Sequence, residues 1–300
     1  MSRYLGIASV QRQGFEGNTK ANLDEIEGYV RGIAAAYPWI DLIVFPEASV
    51  HGVTHDLTEN AESVPGPSTQ LLAKLAKETQ KWIIPGSMFE LFEEKVYNTM
   101  PVFSPEGELV NRYRKMNPFS PAEASTPGNR IEVVDLPGIG RLGLCICFDM
   151  WFPEMTRSLI AMGAEVIIHP SLTPSTVTAQ ERIVRMSTAI VNQAYVVGTS
   201  VCGMHAGFTC SGHSMIVDPE GTVLQEAGDF PAVQLEMLDL DKVSLVRNIG
   251  LKGTCPILKH LNDNEHKWPV YGNQKASSDY LSKFTDAGKV PTSVREDFTV

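Results

Sequence analysis

The chain has 300 residues, 43% of them hydrophobic and 20% charged, with a formal net charge of −10 and a pI near 5.2. That length buries one large core or two modest ones, and the acidic balance argues against nucleic acid or an anionic membrane as the main partner. No apolar run approaches the ~20 residues of a membrane span, and no secretory signal precedes the first strand-like segment.

Tyr4–Val10 is short, apolar and β-like. From Asn18 to about Ala36, Leu23, Ile26, Val30 and Ile33 recur at spacings of three and four, which predicts an amphipathic helix capped by Asn18 or Thr19. Leu42–Phe45 reads as a buried strand, Ser68–Lys81 as a helix capped by Ser68, and Trp82–Ser87 as a strand. Val96–Phe103 and Leu109–Tyr113 flank Ser-Pro-Glu-Gly and predict a hairpin; Ile131–Leu136 and Arg141–Cys147, around Pro-Gly-Ile-Gly, predict a second. Helices are expected at Pro153–Met162 and Thr178–Gln193, and strands at Val166–His169 and Tyr195–Val201. A third hairpin is expected around Asp-Pro-Glu-Gly, between Ser214–Val217 and Thr222–Ala227, followed by a strand at Val233–Leu240. Hairpins mixed with strand–helix units predict an α/β fold with mixed sheets, and the two Pro-Glu-Gly turns hint at an internal pseudo-repeat. The pattern fades after Val243, so residues 1–243 read as one domain and 244–300 as an arm over the domain or a neighbouring subunit. It carries short apolar islands, Pro256–Leu258 and Trp268–Tyr271, and Trp268-Pro269, like Lys81-Trp82, reads as packing or interface.

The chemistry gathers on a few polar residues at predicted strand ends. Phe45-Pro-Glu47 ends a strand with a carboxylate, Arg112-Tyr-Arg-Lys115 ends another with a lysine, and Cys147 closes an apolar run before Phe-Pro-Glu154 opens a helix. A thiol with an unperturbed pKa near ~8.5 needs a base or cation beside it. Glu47 or Glu123 in a low-dielectric pocket would suit proton transfer near neutral pH, and Lys115 with the Phe148 N–H would suit an oxyanion. Together these groups fit acyl transfer through a thioester. Cys145 projects to the same face as Cys147 in a regular strand, and only the position of Cys147 nearer the turn separates them.

Phe45-Pro-Glu47, Tyr113-Arg-Lys115 and Cys147-Phe-Asp-Met-Trp-Phe-Pro-Glu154 resemble, in order, the three signature segments of the nitrilase superfamily of carbon–nitrogen hydrolases, over roughly residues 4–240. The resemblance implies a four-layer α-β-β-α sandwich, Cys147 as nucleophile, Glu47 as general base, Lys115 as oxyanion stabiliser, and subunits that pair into homo-oligomers. Pro118-Phe119-Ser-Pro-Ala-Glu123 resembles a segment of the aliphatic amidase and formamidase branch that carries a second essential glutamate, here Glu123. Ala48, Met150, Trp151 and His169-Pro-Ser171-Leu-Thr-Pro174 differ from that branch. Phe119, Phe148, Met150, Trp151 and Ser171 are the candidate lining of the acyl pocket. The expected substrate is a small-molecule amide, with a nitrile or N-carbamoyl compound as alternative and a non-catalytic binding protein as a remote one.

The five cysteines, at 145, 147, 202, 210 and 255, are an odd number that suits a reducing cytoplasm better than a disulfide framework. Cys202-x-x-His205 and Cys210-x-x-His213 have the residue types of a zinc site. Gly212-His-Ser-Met-Ile-Val-Asp-Pro resembles a segment found across the superfamily, which uses no metal, so neither metal nor cofactor is expected and His213 reads as structural.

Overall fold

The computed structural model describes residues 2–120 and 123–263. Its first strand, β1 (Tyr4–Gln11), is followed by α1 (Thr19–Ala36), which the Asn18 side chain caps by accepting from the Ala21 N–H. Then come β2 (Leu42–Val44), α2 (Pro67–Thr79), β3 (Trp82–Ile84), and three antiparallel strands: β4 (Met88–Phe92), β5 (Lys95–Phe103) and β6 (Leu109–Arg114). The second half begins with the hairpin β7 (Val133–Leu136) and β8 (Gly140–Leu144). It continues through α3 (Pro153–Ala161), β9 (Val166–Ser171), α4 (Thr178–Asn192) and β10 (Tyr195–Ser200). The hairpins β11 (Cys202–His205)/β12 (Phe208–Ser211) and β13 (Met215–Val217)/β14 (Val223–Glu226) lead to β15 (Ala232–Asp239), α5 (Leu240–Ile249) and α6 (Ile257–Asp263).

One sheet runs β15-β1-β2-β3-β5-β4 with β6 on β5; the other runs β14-β13-β10-β9-β8-β7. Strands β1, β2 and β3 are parallel, as are β8, β9 and β10, because helices α1 to α4 cross between them. Each parallel trio is followed by a hairpin whose turn is built alike. The Ser104 and Asp218 N–H groups donate to Glu108 and Thr222, and the Gly107 and Gly221 N–H groups donate back to Ser104 and Asp218, all at 2.9 Å. The pseudo-repeat is therefore structural: strand–helix–strand–helix–strand and then a hairpin, twice.

Alternation along the strands divides the core. Leu5, Ile7, Leu42, Val44 and Ile84 face the second sheet, while Ala8, Val10, Ile43, Ile83 and Phe103 face α1 and α2. Helices α3 and α4 cover the other side of the second sheet, giving an α-β-β-α sandwich.

Several local expectations need correction. Helix α2 starts at Pro67 after Gly66, whose N–H donates to the Thr69 hydroxyl at 2.6 Å; Ser68 lies inside the helix. The strand expected to reach Cys147 ends at Leu144. The fading pattern after Val243 conceals α5, which buries Val243 and Val246 and crosses the expected boundary. Trp268–Tyr271 lies outside the described residues.

Candidate active site

Strand β2 ends at Val44, and Phe45-Pro46 carries the chain to Glu47 at the sheet edge. Gly86, beyond β3, permits that path: a Cβ there would lie 1.6 Å from the Pro46 oxygen, and its φ is +77°. Ser87 accepts from the Ala48 N–H at 2.8 Å and holds Ala48 in the left-handed region, φ 55°. Lys115 follows β6 and is 1% exposed. Its Nζ donates to Glu47 Oε1 at 2.7 Å and to Glu123 Oε2 at 2.6 Å. Buried Asn98 of β5 joins the same carboxylates, its Nδ2 lying 2.9 Å from Glu47 Oε1 and 2.9 Å from Glu123 Oε1. Glu123 also accepts from Ser125 Oγ and the Phe119 N–H. The second Glu47 oxygen accepts from the Leu172 N–H at 2.8 Å.

Cys147 enters from the second sheet. It opens a 3-10 turn, Cys147–Trp151, in the left-handed conformation, φ 47°, a strained choice for a side chain with a Cβ. Asp149 anchors the turn across the sandwich: it accepts from the Ile146 N–H at 3.0 Å, Tyr113 Oη at 2.6 Å, the Asn117 N–H at 2.8 Å and Asn117 Nδ2 at 2.9 Å. The Asp149 N–H donates to Ile146 O as the turn's first 3-10 bond, so the Cys147 and Phe148 N–H groups lie ahead of it, at the donor-rich end. The Cys147 thiol donates to Leu172 O at 3.7 Å and opens onto the same cleft as Glu47. Cys145 is different in kind. It is fully buried in the core, with its thiol on Ile168 O.

The charges explain the resting protonation. Burial raises the Cys147 thiol well above its ordinary value, and the negative Glu47 adds to this while Lys115 opposes it. Burial also raises Glu47, against the pull of Lys115. For Lys115, burial works downward, but the two carboxylates outweigh it and hold the ammonium well above its usual range. Glu123, also buried, is held low by the Lys115 charge and its hydrogen bonds. The site therefore rests with a protonated thiol beside a carboxylate of enhanced basicity, not a preformed thiolate.

Glu47, Lys115, Glu123 and Cys147 line one cleft of about 110 Å³, and Phe119 forms part of its wall. Phe148 stands behind Phe119 in an edge-to-face contact at 5.3 Å. The other expected lining residues are elsewhere. Met150 is 2% exposed and belongs to the core; Trp151 lies on the surface beyond Phe148. Ser171 is buried under the cleft floor, bonded to Thr173 at 2.6 Å and Glu181 at 2.5 Å, and its neighbour Leu172 faces the cleft instead. Ala48, Val53, Leu57, Phe89, Ala206 and Phe208 complete an apolar wall. A wider open groove of about 590 Å³ between α1 and β15 contains no thiol, so size does not mark the site.

Asn98 and Asp149 escape a reading of the sequence. An asparagine within a strand that alternates toward the core is a usable signal, because the residue is disfavoured there without a specific partner. The Cys-x-x-His residues do not converge. His205 accepts from the Val53 N–H at 3.2 Å, and His213 pairs with Asp229 at 3.1 Å. Among the described residues, no group of three or more His, Cys, Asp or Glu is arranged to hold a metal ion.

Comparison with known proteins agrees with this geometry. The carbon-nitrogen hydrolase family matches residues 6–248. An omega-amidase of Mus musculus is 32% identical over 239 residues, 75% of this chain and 84% of the relative. A formamidase of Bacillus cereus (strain Q1) is 33% identical over 211 residues, 67% of this chain and 62% of that protein. Among solved structures, a Saccharomyces cerevisiae member of the nitrilase superfamily superposes with a TM-score of 0.76 at 27% identity, covering 83% of this chain and 94% of that one. An amidase from Nesterenkonia sp. shares the fold, with a TM-score of 0.71 at 23% identity over 83% of this chain and 97% of that one. The chain belongs to the carbon–nitrogen hydrolases of the nitrilase superfamily and is an amidase-type hydrolase.

Proposed function

We propose that the chain hydrolyses a small carboxamide to a carboxylate and ammonia through a thioester on Cys147. The observation that carries this reading is the Lys115 ammonium, buried and bridging Glu47 and Glu123 at 2.7 and 2.6 Å beside the strained Cys147 turn. An ammonium has three N–H donors, and two go to the carboxylates; the third is available for a developing oxyanion. As the Cys147 sulfur pair forms the S–C bond, the thiol proton passes to Glu47 and the carbonyl π pair moves onto oxygen, facing Lys115 and the Phe148 N–H. Collapse breaks the C–N bond, Glu47 returns the proton to nitrogen, and ammonia leaves. Water then attacks the thioester as Glu47 takes its proton, and sulfur departs to regain that proton. Glu123 stays ionised and holds Lys115 and Asn98 in register.

The chain is further inferred to act as a homo-oligomer in a reducing cytoplasm, with the residues beyond α5 as an interface arm on the hydrolase domain. Support comes from the exposed apolar side chains Phe152, Met162, Ile183 and Val191 on and beside α3 and α4, and from five cysteines without disulfides. No described helix is long and apolar enough to cross a membrane.

The test is ammonia release from formamide, short and bulkier aliphatic amides, nitriles and N-carbamoyl amino acids, with Cys147→Ala as control. Release from amides, lost in the variant, is the expected result. Activity confined to nitriles or carbamoyl compounds would move the protein to another branch, and silence throughout would sink the proposal.

A further inference from the structure

His169 sits in the middle of β9 with no exposure, next to the nucleophile yet outside the set of groups that exchange protons in the reaction above. Its Nε2 lies 2.9 Å from the Cys147 carbonyl oxygen. Its Nδ1 accepts from Nε of Arg185, at 3.2 Å. A guanidinium only donates, so Nδ1 carries no proton and the ring hydrogen is on Nε2, directed at Cys147 O. The Arg185 guanidinium is itself fixed, to Ser200 Oγ at 2.8 Å, His213 O at 3.0 Å and Glu181 at 3.3 Å. It reaches His169 through a gap left by Gly198 on the neighbouring strand β10, paired with His169; a Cβ on Gly198 would lie 2.3 Å from Arg185 Nε. Burial and the Arg185 charge push the imidazole down to about 4, so it is neutral in ordinary buffers.

The Cys147 carbonyl and the Phe148 N–H belong to one peptide unit. In a planar trans peptide these two groups point in opposite directions. A clamp on the carbonyl therefore sets the direction of the N–H. We propose that His169 is a positioning residue, which holds the Cys147 carbonyl so that the Phe148 N–H is aimed at the oxyanion formed on the Cys147 side chain. The inference rests on Cys147 being the nucleophile, as argued above. It adds a reason for the strained φ of Cys147: the carbonyl is turned to His169 at the back of the turn, and the donor is turned to the front.

The experiment compares wild type with His169→Phe, which fills the site but has no N–H, and His169→Gln, whose side-chain N–H can replace Nε2–H. Three quantities are read: kcat and KM for ammonia release from an amide; the rate at which methyl methanethiosulfonate, which has no carbonyl, modifies Cys147; and the affinity for a short aldehyde, measured as protection of Cys147 from that reagent. The aldehyde forms an S–C bond with Cys147 as the thiol proton passes to Glu47 and the carbonyl pair moves to oxygen, so it reports the oxyanion donor without turnover. Loss of a whole oxyanion donor costs roughly 10²–10³-fold in kcat. A misaimed one in His169→Phe should cost roughly 10–100-fold in kcat and about tenfold in aldehyde affinity, with KM and the modification rate little changed, and His169→Gln should recover most of the loss. Unchanged kcat and aldehyde affinity in His169→Phe would overturn the proposal. So would a modification rate that falls in step with kcat, or failure of both variants to fold, since either gives His169 only a structural role. If wild type cleaves no amide but its aldehyde affinity depends on His169, the amidase reading fails and the clamp stands. If the aldehyde affinity is also indifferent to His169, the clamp fails as well.

Discussion

The two halves of the sandwich repeat one scaffold but bring different chemistry to the cleft. The first supplies Glu47 after β2, Asn98 on β5, Lys115 after β6, and Glu123, all linked through one ammonium and one amide. The second supplies Cys147 in a strained turn, with His169 behind it and Leu172 beside it. Acid–base and electrostatic groups thus belong to one sheet and the nucleophile to the other. The site exists only when the sandwich is closed, and Asp149, bonded to Tyr113 and Asn117 of the first half and to Ile146 of the second, joins them at the point of reaction.

Removing the contribution of the second half has the largest expected effect. Cys147→Ala should lower turnover by roughly 10⁴-fold or more, with the thermal midpoint nearly unchanged, because it deletes a nucleophile and little volume. Cys145→Ala is the matched control. It should keep activity and cost about 1–2 kcal/mol in a denaturant titration, through lost packing in the core. The reverse pattern would mean that the two thiols have been exchanged. Next comes the first half: Lys115→Arg should reduce kcat by roughly 10³-fold, because a planar guanidinium cannot place one point charge against two carboxylates and an oxyanion. Retention of kcat within tenfold would show that the geometry at Nζ is not critical.

Breaking the link between halves should act on stability first. Asp149→Ala strands the Tyr113 hydroxyl and the Ile146 and Asn117 N–H groups, and should cost about 3 kcal/mol in urea unfolding. A loss under 1 kcal/mol would mean that the turn finds other partners. The last effect is spread over a pH window. The folded pKa of His169 is about 4, below its unfolded value near ~6.5, so the unfolded chain binds the extra proton between them. Stability from this group is present above pH ~6.5 and is lost as pH falls toward ~4, by up to about 3 kcal/mol. Urea midpoints of wild type and His169→Phe should diverge less at pH 4.5 than at pH 7.5; parallel curves would exclude His169 as the source.

The sequence marks the site where chemistry coincides with strand ends. Glu47 and Cys147 each follow an apolar run whose burial is readable from composition, and that is why their segments stand out; Lys115 follows β6, a half-polar strand in which Tyr113 alone is buried. Asn98 and Asp149 do not stand out, since each works through partners from distant segments that only the closed sandwich brings near. Met150 and Ser171 mislead because proximity in sequence to Cys147 and Leu172 says nothing about direction: a tight turn and a pleated strand send neighbours to opposite sides. Helix α5 is hidden for another reason. Leu245 and Ile249 are half-exposed, 54% and 50%, so its apolar stripe has no clear polar face opposite. Turn chemistry was more faithful, and the two Pro-Glu-Gly signals disclosed a repeat that hydrophobic periodicity alone would not.

The charge of the cleft also bears on how a cycle ends. Glu47 and Glu123 against Lys115 leave one net negative charge, and the rest of the described wall holds no lysine or arginine. A neutral amide enters this environment without electrostatic cost. The acid it becomes is an anion there, close to two carboxylates whose charge outweighs that of the single ammonium. Repulsion then favours departure over retention, so the enzyme should be insensitive to its own carboxylate product, and progress curves should stay linear until substrate is depleted.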